Sequence, residues 1–207
     1  TEPGEMSLYG SSTLSSWSNS IRALLSFGPG SIPFIYLAVP LFFGKLKKVH
    51  LASIADRIKS KLASWKGSLL SIMGRVELVK SVIQGTLYNF HVYAWPVSLI
   101  KSLDKWICCF NWSSDIAIIK LETVAWNKVA ATFAEGGLGI RPFRLLNHAA
   151  MLKLAWQLVT AESSWALLIR ARFFRGNHRV AFHVSSSIWY GLCPFLNVIT
   201  DNSQWQI

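Results

Sequence analysis

The sequence predicts a mainly α protein: a helical bundle with a short β element near the N-terminus and a second small helical subdomain. Three observations carry this. Apolar residues recur at three- and four-residue steps through three consecutive segments between residues 51 and 110. A run bounded by proline and glycine precedes them at residues 32–43, and the turn-rich stretch EGGLGIRP at residues 135–142 separates them from further helical pattern. The 207 residues suffice for one sizeable domain or two small ones. Apolar residues make up 52% and mean hydropathy is +0.35, so large faces must be buried.

The first element comes from IPFIYLAVPLFFGKLKKVHL, residues 32–51. Its uncharged part is shorter than the roughly 20 residues of a membrane-spanning helix and holds Pro33 and Pro40, so no membrane span is expected. Phe34, Ile35, Tyr36 and Val39 favour extended backbone, which predicts a buried strand between the prolines, emptying into the basic loop Lys45, Lys47 and Lys48. From Leu51 the period changes. Leu51, Ile54, Ala55, Ile58, Leu62 and Trp65 share one helical stripe. Arg57 and Lys61 flank one edge of it, and Lys59 and Lys66 the other, with stems covering apolar surface and heads turned outward.

Gly67 ends this helix, and Ser68 is the expected cap of a second one carrying Leu69, Ile72, Met73, Val76, Val79, Ile83 and Leu87. Gly74 and Gly85 within it point to close packing or a break. A third helix enters after Pro96 with Leu99, Leu103, Trp106, Ile107 and Phe110 on one side. Beyond the glycine-rich turn, Leu145, Ala149, Leu152, Trp156 and Val159 predict another helix. Trp165, Leu168 and Ile169 begin the next, which ends in Arg170, Arg172, Arg175 and Arg179. Ser185 to Ser187 are placed to cap a short last helix that Pro194 would end or kink.

Charge narrows the function classes. Twenty-one Lys and Arg against ten Asp and Glu give +11, which favours phosphate-bearing partners. Between Lys45 and Lys80 nine cations face two acids, Asp56 and Glu77; between Arg141 and Arg179 seven face Glu162, with Trp156 and Trp165 interleaved. Phosphate contacts of this kind are independent of sequence and sensitive to salt. The acids never form a close Asp pair, so a two-metal phosphoryl-transfer site has no candidate, and GxSxG, HExxH and Walker patterns are missing. His178, His183 and Cys193 lack zinc-site spacing, and Cys108 and Cys109 make no disulfide framework, so no metal or cofactor is expected in the chain.

The ordered series YLAVPLFFGKLKKVHLASIADRIKSKLASWKGSLLSIMGRVELVKSVI, VYAWP and AEGGLGIR resembles the post-palm region of plant non-LTR (LINE-type) retrotransposon reverse transcriptases, proteins often labelled reverse transcriptase or ribonuclease H family. The resemblance implies a palm remnant at residues 1–48, a thumb-like three-helix bundle at 49–112, a connecting segment at 113–142 and a helical connection region at 143–207. It implies that Tyr36, Leu37 and Ala38 match the primer-grip motif, with Ala38 standing where the family has Gly. It also implies that the catalytic aspartates, and the magnesium they would hold, belong to a palm outside this chain. Asn111 and Ser114 depart from the family's FIWSG pattern, replacing an apolar residue and Gly.

The resulting expectation is a non-catalytic thumb and connection piece that holds an RNA/DNA template-primer duplex by its backbone. Its contacts would be Lys45, Lys47, Lys48, Arg57, Lys61, Arg75 and Lys80. Thr1 in place of Met, and an opening TEPGEM without a signal-peptide pattern, fit an internal piece in an intracellular setting, the nucleus included. The competing expectation is a structural remnant that self-associates through apolar surface.

Overall fold

The computed structural model describes residues 7–8, 15–26, 28–37, 39–83, 92–118, 124–175, 178–179 and 186–203. It is mainly α, as the periodicities require. The chain divides into two compact units, Thr1–Phe43 and Gly44–Ile207.

In the first unit, β1 (Ser7–Leu8) pairs in parallel with β2 (Gly28–Pro29), and α1 (Ser15–Leu25) connects them. The sequence pattern gives no warning of α1. Next, β3 (Phe34–Tyr36) and β4 (Val39–Leu41) pair antiparallel, with Phe34 opposite Leu41 and Tyr36 opposite Val39. The expected single buried strand is therefore corrected to a hairpin. Two residues connect its strands, and Leu37 takes φ +47°, the left-handed region that tight hairpins demand. Ile35, Tyr36, Leu37 and Phe43 are exposed, because a two-stranded ribbon has little to bury against. The Ile32–Pro33 peptide is cis.

The second unit begins with α2 (Lys48–Ser64), whose buried residues Leu51, Ala55, Ile58 and Leu62 are the expected stripe. Each contributes up to about 1.5–3 kcal/mol through burial of a large side chain, Ala55 less. A 3₁₀ turn, Gly67–Leu69, follows, and α3 (Ile72–Leu78) starts later than expected. Its cap is Ser71, whose Oγ accepts the Gly74 N–H at 3.1 Å, rather than Ser68, which the 3₁₀ turn absorbs. Leu69 is 78% exposed and Ile72 and Met73 also face outward, so the apolar stripe is buried only from Val76 onward. A π turn, Val79–Ile83, carries it on; Gly85 and Leu87 lie outside the described residues.

The helix α4 (Val97–Ser113) is the hub. It packs against α2, α3 and α6, and Leu99, Ile100, Leu103, Ile107, Cys108, Cys109 and Phe110 bury most of its circumference. A short α5 (Trp126–Val129) and a 3₁₀ turn, Phe133–Glu135, lead into the glycine-rich segment. There a Cβ on Gly137 would stand 2.2 Å from the Ala131 carbonyl oxygen, and Gly136 has φ +79°, so this close turn needs glycines.

The helix α6 (Phe143–Thr160) corrects the predicted face. Leu145 is 63% exposed, and Ala149, Trp156 and Val159 also face solvent. The buried residues are Phe143, Asn147, Ala150, Met151, Ala155 and Leu158. Apolar residues occupy both sides of this helix, so spacing alone permits either face, and its neighbours α4, α7 and α8 choose. The helix α7 (Ser164–Phe173) leads into a small hairpin, β5 (Phe174–Arg175) with β6 (His178–Arg179). Finally α8 (Trp189–Asn202) runs through Pro194 without ending there. Its start is capped by Ser186, whose Oγ accepts the Trp189 N–H at 3.2 Å. Met151, Ala155 and Leu158 meet Ala166 and Phe173 of α7 and Trp189, Leu192 and Leu196 of α8 in a core where Phe173 stacks on Trp189 at 4.2 Å.

Candidate nucleic-acid interface

The cations selected from sequence take four different situations. Lys45, Lys47 and Lys48 are exposed at the entry to α2. Lys47 is the N-cap residue, its N–H donating to His50 Nδ1 at 3.2 Å, and the first turn contains no acid. The free backbone amides there already carry the positive end of the helix dipole. Stacking lysines on that end is unfavourable within the protein and favourable toward a phosphate.

Along α2, Lys47, Arg57 and Lys61 fall within one arc of the helix surface, and Lys48 and Lys59 fall on the opposite edge of the buried stripe. Arg57 is exposed and Lys61 half-buried. Lys59 leans onto α4, its Nζ 5.3 Å from the centre of the Trp106 ring. Lys45 lies 5.9 Å from the Tyr190 ring of α8.

Arg75 and Lys80 depart from the expected arrangement of outward heads. Arg75 is only 9% exposed, and its Nε has no hydrogen-bond partner. It flanks the buried face of α3, where Val76 and Val79 pack, so its stem is enclosed by the bundle. Lys80 sits in the π turn, 3.1 Å from the Glu77 carboxylate and 4.2 Å from the Phe133 ring centre. Its charge is neutralised by a neighbour and its head is packed on an aromatic face. The structure thus places Lys47, Arg57 and Lys61 on one side of α2 and Lys48 on the other, with Lys45 just before the helix, while Arg75 is buried and Lys80 is paired with Glu77.

Tyr36 and Leu37 lie at the exposed tip of the β3–β4 hairpin, in the first unit. Ala38 lies outside the described residues. Of the second basic cluster, Arg170 is structural: its guanidinium donates to the carbonyl oxygens of Val159 (3.3 Å) and Ala161, closing the end of α6. Arg144, Arg172 and Arg175 are exposed. Sequence reading passed over Lys101 and Lys105, exposed one turn apart on α4, and over the Lys59–Trp106 pair; the signal for the pair was Lys59 bordering the stripe while Trp106 sat on the partner stripe.

Chemistry elsewhere is sparse. Among the described residues no group of three or more His, Cys, Asp or Glu could hold a metal ion. No helix among them is long and apolar enough to cross a membrane. A 370 Å³ cavity between α6, α7 and α8 is walled by Val92, Leu154, Trp165, Leu168, Trp189 and Leu192 among others, all apolar, and offers no group to orient a reaction. Among the described acids, Asp104 is the one whose carboxyl burial pushes up, opposed by the Phe143 N–H donating to it at 3.3 Å. Burial also raises the Tyr93 phenol. The exposed Glu135 carboxyl is held low by hydrogen bonds from the Thr132 hydroxyl and N–H. These three groups are fully explained by helix entry, core packing and capping.

No protein-family model matches the chain. Over 143 residues, 68% of this chain, it is 29% identical to an Arabidopsis thaliana protein named "Putative ribonuclease H protein". The chain spans about a quarter of that protein, the matched part being 23% of its length. The comparison therefore establishes similarity to one segment of a larger plant protein that bears this name.

Proposed function

We propose that this chain is the thumb and connection part of a retroelement-type RNA-directed DNA polymerase, and that it holds an RNA/DNA duplex by its phosphate backbone without catalysing a reaction itself. The observation that carries the reading is the set Lys47, Arg57 and Lys61 on one arc of α2, with Lys45 and Lys48 at the helix entry, all exposed or half-exposed and without ion pairs among the described residues. Two further points support it: the ordered motif resemblance, and the similarity to a plant protein named for ribonuclease H, a nuclease of RNA/DNA hybrids. In this reading α2, α3 and α4 are the thumb-like bundle, residues 113–142 the connecting segment, and α6 to α8 the connection region. Tyr36 and Leu37 correspond to the primer grip, and the catalytic carboxylates and their magnesium lie on another part of the polymerase. Arg75 and Lys80 contribute less than the five α2 cations, because their heads are enclosed or already paired.

The test is an anisotropy titration with a labelled RNA/DNA hybrid over a range of salt. If each of the five cations neutralises one phosphate, log affinity falls by about 4.5 per log unit of salt, roughly 500-fold between 50 and 200 mM. Replacing Lys45, Lys47 and Lys48 by Gln together should flatten the slope by about 2.7. Affinity that is indifferent to salt would remove the mechanism.

A further inference from the structure

Lys47, Arg57 and Lys61 occupy one arc of α2, and on the opposite edge of the same helix the structure places an aromatic ring beside a lysine. Trp106 of α4 is half-buried in the seam between α2 and α4, and the Lys59 ammonium rests 5.3 Å from its ring centre. Lys48 stands on the same edge of α2, three turns before Lys59, or about 16 Å along the axis. Lys105 precedes Trp106 in sequence and is exposed about 100° further round α4. None of these three lysines has an ion pair among the described residues. Asp56 stands one turn before Lys59, on the helix position that would favour a pair, yet Lys59 turns to the ring instead. A cation can take that place only if a face of the indole is open toward the surface and offers its negative π-cloud.

We infer that this edge of the α2–α4 seam is a contact site for single-stranded nucleic acid, with the Trp106 ring as a stacking platform for one base and Lys48 and Lys59 as phosphate contacts. The inference rests on the nucleic-acid reading above and adds a second class of substrate to it. A duplex hides its base faces within the stack and presents only phosphates, so it has no use for the ring. An unpaired base presents a π-face, and every base can stack, which is why platforms of this kind bind without sequence preference. On arrival, the phosphate draws the Lys59 ammonium off the indole and the base takes the vacated face. The cation and the ring are thus used together, one for each half of the nucleotide.

The probes are a fluorescein-labelled oligo(dT) and the RNA/DNA hybrid used above, titrated against the full chain and its Trp106→Leu and Trp106→Phe variants, with thermal melts of each variant. Trp106→Leu should weaken oligo(dT) binding about tenfold, the size of one lost base stack, and leave hybrid binding unchanged. Trp106→Phe should recover most of the loss, and 5-bromodeoxyuridine placed in the oligo(dT) should photocrosslink to Trp106. Oligo(dT) affinity unaffected by Trp106→Leu, or crosslinks that map away from the α2–α4 seam, would overturn the inference while leaving duplex binding intact. If Trp106→Leu lowers the melting temperature and both affinities together, the Phe variant and the crosslink decide: recovery with a Trp106 adduct upholds the platform, and failure of either refutes it. A wild-type chain that binds neither probe ends the underlying nucleic-acid reading as well.

Discussion

Asn111 gives the sharpest quantitative test of the packing argument. It sits in the last turn of α4, 1% exposed, and neither its Oδ1 nor its Nδ2 has a hydrogen-bond partner among the described residues. A buried polar group left unpaired costs about 1–3 kcal/mol, and this side chain carries two such atoms. Leucine has the same branched skeleton of heavy atoms and no polar atom, so Asn111→Leu should remove that penalty and add apolar burial, less the cost of fitting its bulkier methyl ends. The expected gain is about 2–4 kcal/mol, which for a chain of this size raises the melting temperature by roughly 5–15 °C. Urea unfolding followed by circular dichroism would read the free energy, and calorimetry the melting temperature. Asn111→Asp, which places an uncompensated charge in the same spot, should be destabilised by several kcal/mol. An Asn111→Leu protein no more stable than wild type would show that the amide is satisfied in solution, and the reasoning would fail.

Three further predictions follow from the same geometry. Ser114 closes α4 at φ +61°, where glycine is unstrained, so Ser114→Gly should stabilise by about 1 kcal/mol in urea melts. The glycines of the α2–α3 region should respond in opposite directions. Gly74→Ala has ordinary room, its nearest neighbour 3.5 Å away, and should gain up to about 1 kcal/mol of helix propensity; Gly67→Ala meets the Phe110 ring and the Ser114 carbonyl at 2.9 Å and should lose about 1–3 kcal/mol. Asp104 supplies a pH test: its folded pKa is raised by burial, so its stabilising contribution is complete below the unfolded carboxylate pKa and is lost as pH rises through the folded value. Asp104→Asn keeps an acceptor for the Phe143 N–H and does not ionise. The stability of wild type relative to this variant should therefore fall from pH 4 toward pH 7, and a difference that stays flat would contradict the assignment.

Two helices of the first bundle, α2 and α4, could be read in advance from their apolar stripes. Leu51, Ala55, Ile58 and Leu62 have only one arrangement that hides them, and Leu99, Leu103, Ile107 and Phe110 likewise. The start of α3 was harder, since Ser68 and Ser71 are both competent caps. In the structure Gly67 packs so closely on the Phe110 ring and the Ser114 carbonyl that a Cβ would meet them at 2.9 Å, residues 67–69 form a 3₁₀ turn, and Ser71 is the cap. Within the candidate interface, residue type identified the cations, yet their accessibility depended on neighbours far along the chain: Phe133 covers Lys80, and Trp106 receives Lys59.

The sequence by itself determined that the chain is mainly helical, where its first bundle begins, and that it carries a large positive charge, because periodicity, capping residues and composition are local properties. Only the tertiary structure decided which side of α6 is buried, whether residues 34–41 form a strand or a hairpin, and which cations remain available to a phosphate. Each of those outcomes depends on which surface arrives from elsewhere in the chain. An α6 apolar on both sides buries whichever face α4, α7 and α8 cover, and a cation such as Lys80 is less available to a partner where a carboxylate of the protein already pairs with it.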